Sequence, residues 1–103
     1  MSPIANPLRG EASLKIAGKA YVLRPSFEHL VAAEAELGSL FALVEQAAGG
    51  TLALSDIAAL LWHCLPAEER PDRAAVGKTV VEMGLVKAIQ PVRVLLAQIL
   101  EGE

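Results

Sequence analysis

The change of hydrophobic period at Pro25 is the feature that most constrains the fold of this chain. Before it, the segment from Ser13 to Arg24 alternates apolar and polar residues and is broken once, at Gly18-Lys19. Alternation with a period of two is typical of half-buried strands. After Pro25, apolar residues recur every three or four positions, as they do in amphipathic helices. The sequence therefore predicts an N-terminal β-hairpin followed by helices.

The turn of this hairpin is predicted at Gly18-Lys19, because glycine supplies the positive φ that a type II′ turn needs at its first central position. Such a two-residue turn pairs the apolar side chains of both strands on one face: Ile16 with Tyr21 and Leu14 with Leu23. A three-residue loop would instead place Tyr21 and Leu23 on the polar face. Since an isolated hairpin is marginal in water, we expect helices to cover the apolar face and the outer edges to stay free for pairing with another chain.

Five helical segments are predicted after the hairpin. Ser26, Ser39, Ser55 and Asp72 are the expected N-caps of the first four, and glycine or proline follows each of these segments. The residues expected to face the core are Phe27, Leu30, Val31 and Leu37, then Leu40, Leu43, Val44 and Ala47, then Ile57, Leu60, Leu61, Cys64 and Leu65, then Val76, Val80 and Met83, and finally Leu85, Ala88, Ile89, Val92, Leu95, Leu96 and Ile99. Pro91 either kinks the last helix or begins a separate one.

These patterns predict an α+β fold in which an N-terminal two-stranded antiparallel β-hairpin packs on a bundle of four to five short α-helices. The length of 103 residues fits one domain over 1–103. Within it we assign a flexible arm to 1–8, the hairpin to 11–24 and the helical part to 26–101. The chain is 53% hydrophobic and only 20% charged, so we expect a domain this small to leave apolar side chains for a partner.

Composition also argues against several classes of function. The net charge is −3 and no run of Lys or Arg is present, which disfavours nucleic-acid binding. The longest apolar runs are too short to span a membrane, and the N-terminus has no apolar signal-peptide core. A single cysteine, Cys64, cannot form an internal disulfide and suits a reducing compartment. We therefore expect a cytoplasmic protein.

No catalytic, cofactor-binding or metal-binding set can be assembled from the sequence. His63 and Cys64 are adjacent, so on a helix they point about 100° apart. His29 is expected to be a surface histidine. Glu34 interrupts an apolar stripe, and we expect it to be partly exposed beside a basic group such as Arg24 or Lys15. The chain is accordingly predicted not to be an enzyme and to need no cofactor.

Three bulky apolar residues fall off the core-facing stripes of the last three helices: Trp62, Val81 and Val94. In a small bundle, short helices can bury more than one face each. Alternatively, these side chains form a partner-binding surface, since exposed Trp and aliphatic residues are favoured anchors. We take the three as candidate partner-binding residues.

The segment "ANPLRGEASLKIAGKAYVLRPSFEHLVAAEAELG" resembles the start of the small tail proteins of gene transfer agents and related phages. These proteins share an N-x-x-R-G-E opening, a strand, a glycine turn, a second strand, L-x-x-S/T-F and an acidic helix that ends in L-G. The later "LALSDIAALLWHCL" and "MGL" agree as well, whereas 64–83 does not match closely.

This resemblance implies a tail assembly chaperone that binds the tape-measure protein and the tail-tube protein. It implies, as an alternative, a structural tail-tube component of the finished particle, which would place the chain in the virion. Apart from the resemblance, the sequence leaves a homo-oligomer open. A small DNA-binding regulator is the remaining hypothesis from a different class.

Overall fold

The structure is a computed structural model and describes residues 12–101, apart from the side chain of residue 101. In chain order the elements are β1 (Ala12–Ile16), β2 (Lys19–Leu23), α1 (Phe27–Leu37), α2 (Leu40–Gly49), α3 (Leu54–His63), α4 (Arg73–Met83) and α5 (Leu85–Glu101). The strands form a two-stranded antiparallel sheet, so the predicted α+β fold is confirmed. The arm predicted at 1–8 and the first residue of the predicted hairpin lie outside the described residues.

The hairpin turn lies one residue earlier than predicted, at Ala17-Gly18. Both residues have positive φ, 51° and 84° respectively, as a type I′ turn requires. The predicted type II′ turn at Gly18-Lys19 is therefore wrong: Gly18 occupies the second central position, and Ala17 takes the left-handed conformation at the first.

The strand pairing follows this turn, with Ile16 opposite Lys19 and Leu14 opposite Tyr21. The predicted pairs, Ile16 with Tyr21 and Leu14 with Leu23, are each displaced by two residues. Because side chains alternate with the same period of two, the displacement leaves every residue on its predicted face. Leu14, Ile16, Tyr21 and Leu23 are all buried.

Three of the four predicted N-caps are confirmed. The side chains of Ser26, Ser39 and Asp72 accept hydrogen bonds from the backbone N–H three residues on. The predicted cap of α3 is wrong, since the helix begins at Leu54 and Ser55 lies in its first turn. The N–H groups of Asp56 and Ile57 both donate to the Ala53 carbonyl at 3.0 Å, and the helix starts without a side-chain cap.

Helix α1 faces the core with a different side from the one predicted. Ala33 is fully buried and Leu30 and Leu37 are half-buried, whereas Phe27 and Val31 are exposed. At 100° per residue, the first three lie within about 60° of one another and Phe27 lies at least 60° away from them. Ala33 was missed because a small residue adds little to an apolar pattern.

Helix α3 lies at the centre of the molecule, where it packs against α1, α4 and α5. Its predicted stripe is confirmed, with all five members at 3% exposure or less: Ile57, Leu60, Leu61, Cys64 and Leu65. The hairpin is joined to the end of this helix, because the Arg24 N–H donates to the Cys64 carbonyl at 3.0 Å. Strand β1 also packs on α4 and α5, so the hairpin covers one side of the helical core.

Helix α5 is continuous from Leu85 to Glu101 with Pro91 inside it, so Pro91 does not begin a separate helix. The proline ring has no N–H to donate to the carbonyl of Lys87, and it is itself buried. The predicted core stripe of α5 is largely confirmed: Ala88, Val92, Leu95 and Leu96 are buried, although Leu85 is 55% exposed.

Glu34, the carboxylate inside the α1 stripe, is exposed. Its Oε2 accepts a hydrogen bond from the Leu40 N–H at 3.2 Å. That N–H belongs to the first residue of α2 and would otherwise lack a partner within the helix. Glu34 therefore helps Ser39 to cap α2.

Candidate protein interaction surface

An apolar groove runs along the surface between α2 and α5. It consists of two adjoining hollows of about 280 and 230 Å³, which share Ala47 and Arg93. Its walls are Val44, Ala47 and Ala48 of α2, Gly50 and Leu52 of the following connection, Ile57 of α3, and Leu85, Val86, Ile89, Arg93, Leu96, Ala97 and Leu100 of α5. We call this feature the α2–α5 groove.

The α5 wall of the groove is a second apolar stripe, next to the one that packs into the core. Its bulky members are well exposed, at 80% for Val86, 55% for Leu85 and 52% for Leu100. These side chains remain in water, as expected for a small, strongly hydrophobic domain that leaves apolar side chains for a partner. They lie at the two ends of the groove, whereas Leu96 between them is only 5% exposed and also packs in the core.

Arg93 lies at the midpoint of this stripe, seven residues from both Val86 and Leu100, and is exposed. Of the residues that line the groove, it alone carries a charge. Within residues 12–101, its guanidinium has no hydrogen-bond or ion-pair partner. Among the side chains that the structure describes, the groove is thus lined by apolar residues, with Arg93 at its centre and no described partner for that cation.

Exposed apolar side chains also occur on the first two helices. Phe27 and Val31 lie one turn apart on α1 and are 81% and 48% exposed, while Phe41 on α2 is 62% exposed. None of these three lines the groove. They provide matched apolar positions for comparison with it.

The predicted anchor Trp62 is half-buried and is covered by the segment that follows α3. The guanidinium groups of Arg70 and Arg73 each stack on its ring at 4.4 Å from the centroid. Its Nε1–H donates to the Pro71 carbonyl at 2.9 Å. Trp62 thereby fastens the 66–72 loop to α3.

Arg70 also satisfies the end of α3. Its Nη2 donates to the carbonyls of His63 and Leu65, both at 3.0 Å. Carbonyls at a helix C-terminus have no partner within the helix, and a cation there is favoured by the helix dipole. The charged 66–72 loop is therefore held against α3 by the Arg70 side chain and by the Pro71 carbonyl.

A polar cluster joins α1, α3 and α4 beside Trp62. The Glu36 carboxylate accepts from the Arg73 guanidinium and from His63 Nε2, the latter at 2.9 Å. These two hydrogen bonds, with Arg73 the stronger influence, lower the pKa of Glu36 from 4.5 to about 2. His63 is buried and Glu36 is exposed, so the cluster spans from the core to the surface.

The remaining candidate reactive groups have structural surroundings. Burial raises the pKa of the Cys64 thiol to about 12, which keeps it in the unreactive protonated form. His29 Nδ1–H donates to the Arg24 carbonyl at 3.0 Å. Among residues 12–101, no group of three or more His, Cys, Asp or Glu is placed to hold a metal ion.

The three predicted partner-binding residues are not brought together in the groove. Val81 is 66% exposed on α4, whereas Trp62 and Val94 are half-buried and pack against the core. Sequence reasoning missed the groove because Leu85, Ile89 and Leu96 were assigned to a single core stripe. The signal that could have found it is the spacing of Val86, Ile89, Arg93, Leu96 and Leu100.

No helix in the part of the chain that the structure describes is long and apolar enough to cross a membrane. No curated protein and no solved structure matches the chain. A family model described as phage tail tube protein, GTA-gp10, matches residues 9–102. This match agrees with the resemblance to gene-transfer-agent tail proteins and leaves the chaperone assignment open. Since it spans nearly all of the sequence, the chain belongs to this family of phage tail proteins.

Proposed function

We propose that the chain is a structural component of a phage-like tail and acts through contacts with other tail proteins rather than by catalysis. The family description names a tail tube protein. The observation that carries the proposal is the exposed apolar α2–α5 groove, because contiguous apolar surface on a small domain marks a site of protein contact.

The contacts proposed are with copies of the tail-tube protein and with the tape-measure protein, after synthesis in the cytoplasm. Val81 is exposed and would contribute to the contact surface outside the groove. Trp62 and Val94 would contribute only the part of each side chain that the core leaves in water. The chain's negative charge and the absence of a basic run speak against a nucleic-acid partner.

A second candidate function is that of an assembly factor, a chaperone that binds tail proteins and leaves before the particle is complete. One observation favours it. The α2–α5 groove exposes the bulky apolar side chains of Leu85, Val86 and Leu100, and a chaperone needs such a surface to cover the apolar surface of an aggregation-prone partner before assembly.

Quantitative mass spectrometry of purified particles separates the two functions, when combined with deletion of the gene. A structural component is present in repeated copies, and its deletion removes or shortens the tail. An assembly factor is required for the tail but is absent from purified particles. Normal tails after deletion, in particles that never contained the chain, would contradict both.

A further inference from the structure

The outer stripe of α5 has the spacing of a coiled-coil seam. Val86, Ile89, Arg93, Leu96 and Leu100 are separated by three, four, three and four residues, and Leu96, only 5% exposed, forms the floor of the groove where it meets the core. Apolar residues with this spacing occupy the positions that face a partner helix in a coiled coil. A single polar residue at such a position specifies which partner binds and in which register. In this helix Arg93 is the single polar residue among the apolar positions of the seam.

The dimensions of the groove suit one helix. From Val86 to Leu100 the stripe is about 21 Å long at 1.5 Å per residue, which equals about four helical turns. The opposite wall presents the small residues Ala47, Ala48 and Gly50, which leave room for a helix to approach α5 and α2 together. Val44 and Leu52 extend the apolar wall at either side of them.

The charge of Arg93 selects among possible occupants. If α5 of a second copy packed antiparallel in the same register, Val86 would meet Leu100 and Arg93 would meet Arg93. Two like charges within an apolar seam are strongly unfavourable. A helix that places a carboxylate opposite Arg93 would instead form a charge-assisted hydrogen bond inside the seam.

We propose that the α2–α5 groove binds an amphipathic helix of another tail protein, with an Asp or Glu near the middle of that helix paired to Arg93. Apolar residues three or four and seven positions to either side of the acid contact Val86, Ile89 and Leu100. This inference rests on the proposed function and specifies the class of partner segment that the groove accepts.

Site-specific photocrosslinking in cells that build the tail tests where the partner binds. A photoreactive phenylalanine analogue is placed at position 86 or 100 in the groove, and at position 27 on α1 as an apolar control that is as exposed as position 86. We expect positions 86 and 100 to capture the same segment of one tail protein, an amphipathic helix with an acidic residue between the two crosslinked sites. Capture of a second copy of this chain, or of a segment without that pattern, would overturn the proposal.

The control position separates failure of this inference from failure of the proposed function. Capture of a tail protein from position 27 but not from the groove would overturn the helix proposal and leave the tail function standing. If no position captures a tail protein and particles form without the chain, the tail function itself fails.

Charge reversal then tests the role of Arg93 with the captured partner. Arg93→Glu should weaken binding at least about ten-fold, since close charge pairs at interfaces couple by well over 1.4 kcal/mol. Arg93→Lys should retain most of the affinity. Changing the partner's central acid to lysine should restore binding to Arg93→Glu. Because Arg93 is exposed, all variants should keep the wild-type melting temperature; equal affinity of Arg93→Glu and wild type would refute the pairing.

Discussion

At the scale of the residue, Trp62 shows how neighbours from later in the chain decide the role of a side chain. Its position off the α3 stripe indicated an exposed anchor, yet residues 70–73 fold back over its ring. The stacking pairs an aromatic face with cations, and the indole N–H gains a backbone acceptor. Such a side chain contributes to stability whatever it adds to binding.

We expect Trp62→Ala to lower the free energy of unfolding by about 2–4 kcal/mol, because it removes a half-buried ring, its hydrogen bond and two stacked cations. Trp62→Phe should lose less, since it keeps an aromatic face although it loses the Nε1–H and the five-membered ring. Chemical denaturation of the three proteins gives the comparison. A Trp62→Ala variant as stable as wild type would show that the contacts between Trp62 and residues 70–73 contribute nothing to stability.

The Glu36 cluster predicts a pH dependence of stability. Its folded pKa of about 2 lies below the ordinary value of 4.5, so its contribution is fully present above about pH 4.5 and is lost as the pH falls toward 2. Glu36→Gln should therefore melt at a lower temperature than wild type at pH 6, and this gap should narrow between pH 5 and pH 2. Because Glu36 is exposed, we expect the gap to be modest.

The matched control for Glu36 is Glu82→Gln, which neutralises an exposed carboxylate on α4. Its melting temperature should follow that of wild type through the same pH range. A gap for Glu36→Gln that stays constant from pH 6 to pH 2 would contradict the assignment of this pH dependence to Glu36.

At the scale of the element, the hairpin turn depends on two residues with positive φ. Alanine at position 17 pays a steric cost in this conformation, whereas asparagine followed by glycine is the preferred type I′ pair. We expect Ala17→Asn to raise the melting temperature by a few degrees, since relief of about 1 kcal/mol shifts a domain of this size by roughly 4–8 °C.

Gly18→Val tests the same turn in the opposite direction and should lower the melting temperature. No atom lies within 4 Å of a Cβ built at Gly18, so the loss would come from the backbone conformation and not from a clash. Valine resists positive φ because it is β-branched. Thermal unfolding followed by circular dichroism measures both variants; an unchanged Gly18→Val would argue against a type I′ turn.

Element boundaries were predictable where one strong local signal marked them. Ser26, Ser39 and Asp72 capped their helices as expected, and glycines ended α1, α2 and α4. The prediction failed where the signal was ambiguous: Gly18 could take either central position of the turn, and Ser55 could be a cap or a first-turn residue. Which face of a helix is buried depends on the elements that pack against it. The exposure of Phe27 and Val31 could therefore not be predicted from spacing alone.

At the scale of the whole molecule, stability depends on α3, which packs on three other helices. Leu61 is fully buried there. Leu61→Ala should reduce the free energy of unfolding by about 2–5 kcal/mol, through lost burial and the cavity left behind. Denaturant unfolding measures the loss, with Val81→Ala as control.

Val81 is 66% exposed, so Val81→Ala should change stability by no more than about 0.5 kcal/mol. If Leu61→Ala were equally neutral, α3 could not be the centre of the core. If Val81→Ala were strongly destabilising, its side chain would have to be packed in solution.

The α+β fold and the buried face of the hairpin followed from the sequence because period and polarity are local properties. The candidate site did not, since the groove exists only once α2 lies beside α5. Trp62, Val81 and Val94 were selected for lying off the stripes, whereas the groove residues form a second stripe adjacent to the first. Assigning a single apolar face to each helix overlooks the second apolar face of α5.

Helix α5 thus has two functions on two neighbouring faces: one face packs in the core, and we propose that the other binds a partner. A mutational scan that selects only for folded protein should tolerate changes at Val86, Arg93 and Leu100 and reject them at Val92 and Leu95. A scan that selects for infectious or gene-transferring particles should reject changes at all five. Positions that tolerate change in the first scan but not in the second would define the surface that contacts another molecule, without any further structure.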